Sequence, residues 1–161
     1  LGKTKKDQSM KDVESIINVI SELRSFKNEL NVSPGSFIDI SINKIAKKNK
    51  TLMINNEIIL KKLGRINNFF DKDQEKPSAT LVISGDIFKI YFDENVDLNL
   101  IKENLVKRQN KYQEEMDKIS QRLSNKGFTD RAPKNIVEQE KTNYSNLKDD
   151  IKKISLTIES L

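Results

Sequence analysis

Across residues 98–161, mostly apolar side chains return every three or four positions in two runs divided by a turn. The first run is Leu98, Ile101, Leu105, Arg108, Tyr112, Met116, Ile119 and Leu123. The second is Val137, Glu140, Tyr144, Leu147, Ile151, Ile154, Ile158 and Leu161. Steps of three and four keep a row of side chains on one face of an α-helix, and sustained over a run they form a coiled-coil seam. Between the runs, Asn125-Lys126-Gly127-Phe128 is expected to end the first helix, with Gly127 in the left-handed position and Phe128 making the accompanying apolar contact. Pro133 is expected in the first turn of the second helix, where a missing N–H costs nothing. Each helix would run about 28 residues, or roughly 40 Å at 1.5 Å per residue. So short a connection forces antiparallel packing. Tyr112 and Tyr144 lie on the seam and are read as core, and Arg108 as a packed stem with its head in water.

Upstream the pattern is different. Ser9 is placed to cap a helix, with Asp12 three residues on, after a polar leader over residues 1–8. Val13, Ile16, Ile17, Ile20, Leu23 and Leu30 give that helix one apolar face, and Asn31-Val32-Ser33-Pro34-Gly35-Ser36 stops it. Residues 37–42 are β-branched and partly alternating, as expected of a strand. Thr51 to Leu63 keeps a helical step, with Gly64 at its C-cap. Arg65 to Phe70 reads as a short strand, and Ala79 to Ile83 and Ile87 to Phe92 flank a Ser84-Gly85-Asp86 hairpin turn. The expected fold class is α+β: an N-terminal helix plus a small, mostly antiparallel sheet with one helix and one covered face, followed by a long antiparallel two-helix coiled-coil arm. The expected divisions are 1–32, 33–96 and 97–161.

Composition narrows the function. With 35% hydrophobic and 33% charged residues, the chain suits a modest core joined to an extended, solvated element. It has no Cys and no His, which removes thiolate chemistry, disulfides, Ser-His triads and most zinc sites. The paired carboxylates Glu114-Glu115 and Asp149-Asp150 are neighbours in sequence and so point to different helix faces. No apolar run is long enough for a membrane span, and the N-terminus lacks the apolar stretch of a signal peptide. The chain does not begin with Met, as expected of part of a longer one.

The net charge of +5 favours an anionic partner, and its placement says more. Within residues 118–134, Lys118, Arg122, Lys126, Arg131 and Lys134 stand against Asp130 alone. The positive charge of the helix pair gathers at its turn, where it suits phosphate contacts independent of sequence. Lys107 and Lys111 are placed to follow a phosphate backbone along one side of the first helix. In the N-terminal helix, Arg24 and Lys27 are read as packing residues rather than nucleic-acid contacts.

These residues carry a family resemblance. Arg122-Leu123-Ser124-Asn125-Lys126-Gly127-Phe128, then Ala132-Pro133, Val137-Glu138 and Glu140-Lys141, resemble the C-terminal arm of bacterial-type valyl-tRNA synthetases, whose turn reads Leu-Ser-Asn-x-Gly-Phe before Ala-Pro. Arg24 to Pro34 (Arg-Ser-Phe-Lys-Asn-Glu-Leu-Asn-Val-Ser-Pro) is similar to the helix end that closes that family's anticodon-binding region, with Leu30 where Met is common. Lys76-Pro77-Ser78-Ala79 and Ile87 to Phe92 resemble its linker. The resemblance spans nearly the whole chain in order. It implies a class I enzyme that joins valine to its tRNA with ATP and Mg²⁺. Catalytic, editing and anticodon domains would lie upstream on the same polypeptide, and the arm would reach the outer corner of the tRNA. It implies a cytoplasmic monomer, with tRNA as the arm's partner through Lys118, Arg122, Lys126, Arg131, Lys134, Lys111 and Lys107. Neither class I nucleotide-binding signature is present, so no cofactor site is expected in this chain and it should not aminoacylate alone. The competing reading is a coiled-coil protein-interaction module without a nucleic-acid role. Such a module should carry a second apolar stripe, and none is seen.

Overall fold

The computed structural model describes residues 2–161, with side chains described from Lys5 onward. It divides into two compact units. One comprises the chain up to Ile101 together with Ser160–Leu161, and the other comprises Lys102–Glu159.

The first unit opens with helix α1, Gly2–Glu29. The polar stretch read as a leader is therefore helical from Gly2, and Ser9 lies inside the helix rather than capping it. Lys and Gln are good helix formers, and Gln8 Nε2 donates to Asp12 Oδ1 one turn on at 2.7 Å. Ile16, Ile20, Leu23, Phe26 and Leu30 are buried, whereas Val13 and Ile17 are exposed, so the apolar face is only partly covered. The helix ends on Asn31 in the left-handed region (φ 56°), with Val32 N–H donating to Lys27 O at 2.8 Å and Asn31 N–H to Asn28 O at 3.0 Å. That pair of bonds satisfies carbonyls the helix end leaves open.

Strands β1 (Ile38–Lys44), β2 (Ile66–Phe70), β3 (Ala79–Ile83) and β4 (Asp86–Phe92) form one mixed sheet in the order β2-β1-β4-β3. β1 pairs parallel with β2 and antiparallel with β4, and β3 and β4 pair antiparallel. Ser84 (φ 51°) and Gly85 (φ 89°) make the two-residue hairpin turn, whose backbone matches strand twist when both central residues have positive φ. Ile38, Ile40 and Ile42 alternate along β1, with Phe88 and Ile90 on β4. All five are buried, as a strand period of two requires on a covered face. The opposite face is covered as well. Tyr91 is almost wholly buried there, its hydroxyl accepts from Gln74 N–H at 2.7 Å, and Ser41 Oγ donates to Asp73 Oδ1 at 2.7 Å. The β2–β3 connection thus provides a polar cover that the expectation of one covered face omitted.

The single helix expected at 51–63 is two: α2 (Lys47–Asn55) and α3 (Glu57–Gly64), broken at Asn56. The Asn56 side chain donates to Leu52 O at 2.8 Å, a local bond that competes with helix continuation. The left-handed residue ending α3 is Arg65 (φ 55°, ψ 51°), not Gly64. Gly64 is the last helical residue, where a Cβ would come within 3.1 Å of Ile66 Cδ1. Lys27 joins these parts. It is buried, and its ammonium donates to Ser36 O at 2.8 Å and Gly64 O at 3.1 Å. Burial, then the charges of Arg65 and Arg24, lower its pKa to about 8. Arg24 donates to Leu63 O at 3.3 Å. Arg24 and Lys27 of α1 therefore serve the C-terminus of α3, where a positive charge meets unpaired carbonyls, in keeping with the packing role expected of them.

The remaining helices are α4 (Leu98–Ser124), the short α5 (Lys126–Thr129) and α6 (Lys134–Ser160). Every expected seam position is buried or half-buried. α4 and α6 pack together, and Gln109 Nε2 on α4 donates to Ser155 Oγ on α6 at 2.6 Å.

Candidate nucleic-acid interface

The end of the helix pair is built around Asn125. It has extended backbone angles (φ −80°, ψ 107°), and its Oδ1 accepts from Gly127 N–H at 2.9 Å, which makes it the N-cap of α5. Asn is among the preferred capping residues because its short side chain reaches the open N–H groups of the next turn. Gly127 is therefore not left-handed, as the turn had been read; among the described glycines, positive φ is found only at Gly85. Its value is proximity: a Cβ would stand 3.1 Å from the capping Asn125 oxygen. Phe128 is half-buried, and its carbonyl accepts from Ala132 N–H at 2.8 Å and Arg131 N–H at 3.2 Å, closing the turn. Pro133 precedes α6 by one residue, its carbonyl accepting from Ile136 and Val137.

On this scaffold Lys118, Arg122, Lys126, Arg131 and Lys134 are all exposed, as are Lys107 and Lys111 along α4. Asp130 is exposed among them. A shallow hollow is lined by Lys118, Gln121, Arg122 and Asn125. Arg122 differs from the others. Its guanidinium lies 3.1 Å from Glu140 Oε2, and Glu140 occupies the one acidic position of the α6 seam with its side chain 15% exposed. Sequence placed Glu140 on the seam but outside the 118–134 window, so the pairing across helices was missed. Among the described residues, Lys107, Lys111, Lys118, Lys126, Arg131 and Lys134 make no ion pair. Arg108 and the two seam tyrosines are half-buried, consistent with packing. Among the described residues no group of His, Cys, Asp or Glu is arranged to hold a metal, and no helix is long and apolar enough to cross a membrane. Exposed cations gathered at one end of a helix pair suit binding of a polyanion.

Comparison with known proteins gives this end its class. Residues 97–161 match the family model described as the valyl tRNA synthetase tRNA binding arm, which places the helix pair among the tRNA-binding arms. The chain is 67% identical over 99% of its length to the valine–tRNA ligase of Pelagibacter ubique, covering 18% of that protein. It is 31% identical over 93% of its length to that of Bartonella quintana, covering 17%, and 31% identical over 77% to that of Francisella tularensis, covering 14%. The chain belongs to the valyl-tRNA synthetase family. It spans less than a fifth of the length of these curated relatives.

Proposed function

We propose that this chain is the arm-bearing region of a valine–tRNA ligase and that its helix pair holds tRNA while domains elsewhere on the polypeptide act on it. The observation that carries this reading is the coincidence of the matched arm, residues 97–161, with a cluster of exposed cations at its turn. Lys118, Lys126, Arg131 and Lys134, with Arg122 once released from or shared with Glu140, provide phosphate contacts, and Lys107 and Lys111 extend them along α4. Such contacts fix position without reading sequence, so valine specificity resides in other domains. Joining valine to tRNA requires ATP and Mg²⁺ in the complete enzyme, which we place in the cytoplasm as a monomer. The residues described here supply no metal-ligand cluster, and no chemical step is assigned to them.

The protein-interaction reading is not favoured. In the second unit the exposed large apolar side chains are Val106, Ile136 and Leu156, which form no stripe. Fluorescence anisotropy with a labelled valine-accepting tRNA transcript, repeated at rising salt, tests the proposal. Binding should fall with a log–log slope of about −3 to −5 if four to five phosphates are engaged. A flat salt response, or unchanged binding by Lys118→Gln/Arg122→Gln/Lys126→Gln, would sink it.

A further inference from the structure

From Lys134 of the turn cluster, a row of cations continues along helix α6. Lys134, Lys141 and Lys148 are spaced seven residues apart and all are exposed. With the seam at Val137, Glu140, Tyr144 and Leu147, each of these lysines occupies the position just after the second seam residue of a heptad. At 1.5 Å per residue the steps are about 10.5 Å, so the three form a row of roughly 21 Å along one flank of α6. Lys152, also exposed, follows four residues on, about one helical turn further along.

Flanking positions of this kind ordinarily carry charges that pair with opposite charges on the facing helix. Here the facing helix offers none that pairs. Ser155 continues the same heptad position, and its hydrogen bond to Gln109 at 2.6 Å fixes which flank of α4 lies opposite. Counting along α4 from Gln109, that flank carries Gln113, Asp117, Ser120 and Ser124; Asp117 Oδ1 accepts from Gln113 Nε2 at 2.8 Å, and among the described residues Asp117 makes no ion pair. Lys141 pairs only with Glu138 on its own helix, at 3.1 Å with both side chains mostly exposed, and among the described residues Lys134 and Lys148 make no ion pair. An exposed pair of this type contributes little. The row is therefore not explained by the pairing of α4 with α6.

We infer that Lys134, Lys141 and Lys148 form a phosphate-binding track along α6, which carries the contact with RNA from the turn down one flank of the helix pair. This rests on the proposed tRNA-binding function and extends it to residues outside the turn. A regular row of ammonium groups suits the sugar-phosphate backbone of folded RNA, which proteins recognise chiefly by shape and backbone contacts.

The test compares three variants of the 161-residue chain by anisotropy with a labelled valine-accepting tRNA transcript: Lys141→Gln/Lys148→Gln, Lys141→Arg/Lys148→Arg, and Lys118→Gln/Arg122→Gln/Lys126→Gln at the turn. Far-ultraviolet circular dichroism checks helix content. The track predicts that the Gln pair weakens binding about five- to thirtyfold and reduces the salt slope by about 1.4–1.8, two contacts' worth. The Arg pair should bind like the parent, which a loss through packing would not restore. If the turn variant weakens binding and the Gln pair matches the parent in affinity and slope, the track is wrong and the proposed function stands. If neither set changes binding, both fall. If the Gln and Arg pairs weaken binding equally, the lysines act through helix packing and the track is overturned.

Discussion

One lysine of the first unit is used in the opposite way to three of the second. In the first, Lys27 is enclosed, its ammonium held by two backbone carbonyls and its pKa brought down to about 8. In the second, Lys118, Lys126 and Lys134 stand in solvent with no ion-pair partner among the described residues. The difference follows from geometry. A sheet with helices on one face and a loop on the other has an interior. Two helices side by side bury a stripe and little else. Of the twenty-one buried apolar side chains described, only Leu105, Ile119 and Ile154 lie within Lys102–Glu159. Buried apolar side chains are thus concentrated in one unit, while exposed charge is found in both.

The largest effects should come from the interiors. Ile40, fully buried at the centre of the sheet, should lose about 3–4 kcal/mol on replacement by Ala, and Ile119 in the seam about 1–2 kcal/mol, because the thin helix pair can close around the loss. Urea denaturation followed by circular dichroism measures both, and equal costs would break the contrast. Lys27 gives the next effect. Its folded pKa of about 8 lies below the ordinary 10.5, so between these values the unfolded chain binds more protons. The cost of burying the charge is fully present below pH 8 and is relieved as pH rises towards 10.5. Relative to Lys27→Met, the parent should gain on the order of 2–3 kcal/mol between pH 7 and pH 10. A difference that does not move with pH would show that burial leaves the Lys27 pKa at its ordinary value. Replacing Lys118, Arg122 and Lys126 with Gln should weaken tRNA binding about ten- to a hundredfold at low salt. Asn125→Ala should produce the smallest change, about 1 kcal/mol, confined to the second unit. It would sharpen the comparison if the first unit's midpoint stays fixed.

The long-range repeat was the most legible part of the sequence. The seam from Leu98 to Leu161 predicted both long helices to within a residue or two, because periodicity alone dictates which side chains leave water. The strands and the Ser84-Gly85 hairpin were legible from alternation and turn chemistry. What escaped depended on contacts distant in sequence or on one side chain's local bond. The Asn56 break, the Asn125 cap and the left-handed Arg65 are each settled by one residue's hydrogen bonds or packing. The cover supplied by residues 71–77 depends on Tyr91 and Ser41, far along the chain. At the turn, the cations were all found where the sequence put them on the surface, yet Glu140 could be matched to Arg122 only once the two helices were aligned.

That one alignment makes the basic end chemically uneven. An anion arriving at Lys126 or Arg131 displaces water and mobile ions. At Arg122 it instead shares or exchanges a partner, because the guanidinium already lies 3.1 Å from Glu140 Oε2 at a largely enclosed seam position. If the guanidinium turns outward, the carboxylate left behind loses its counter-charge. Arg122 is consequently the cation of the turn whose orientation is tied to a seam residue of the facing helix.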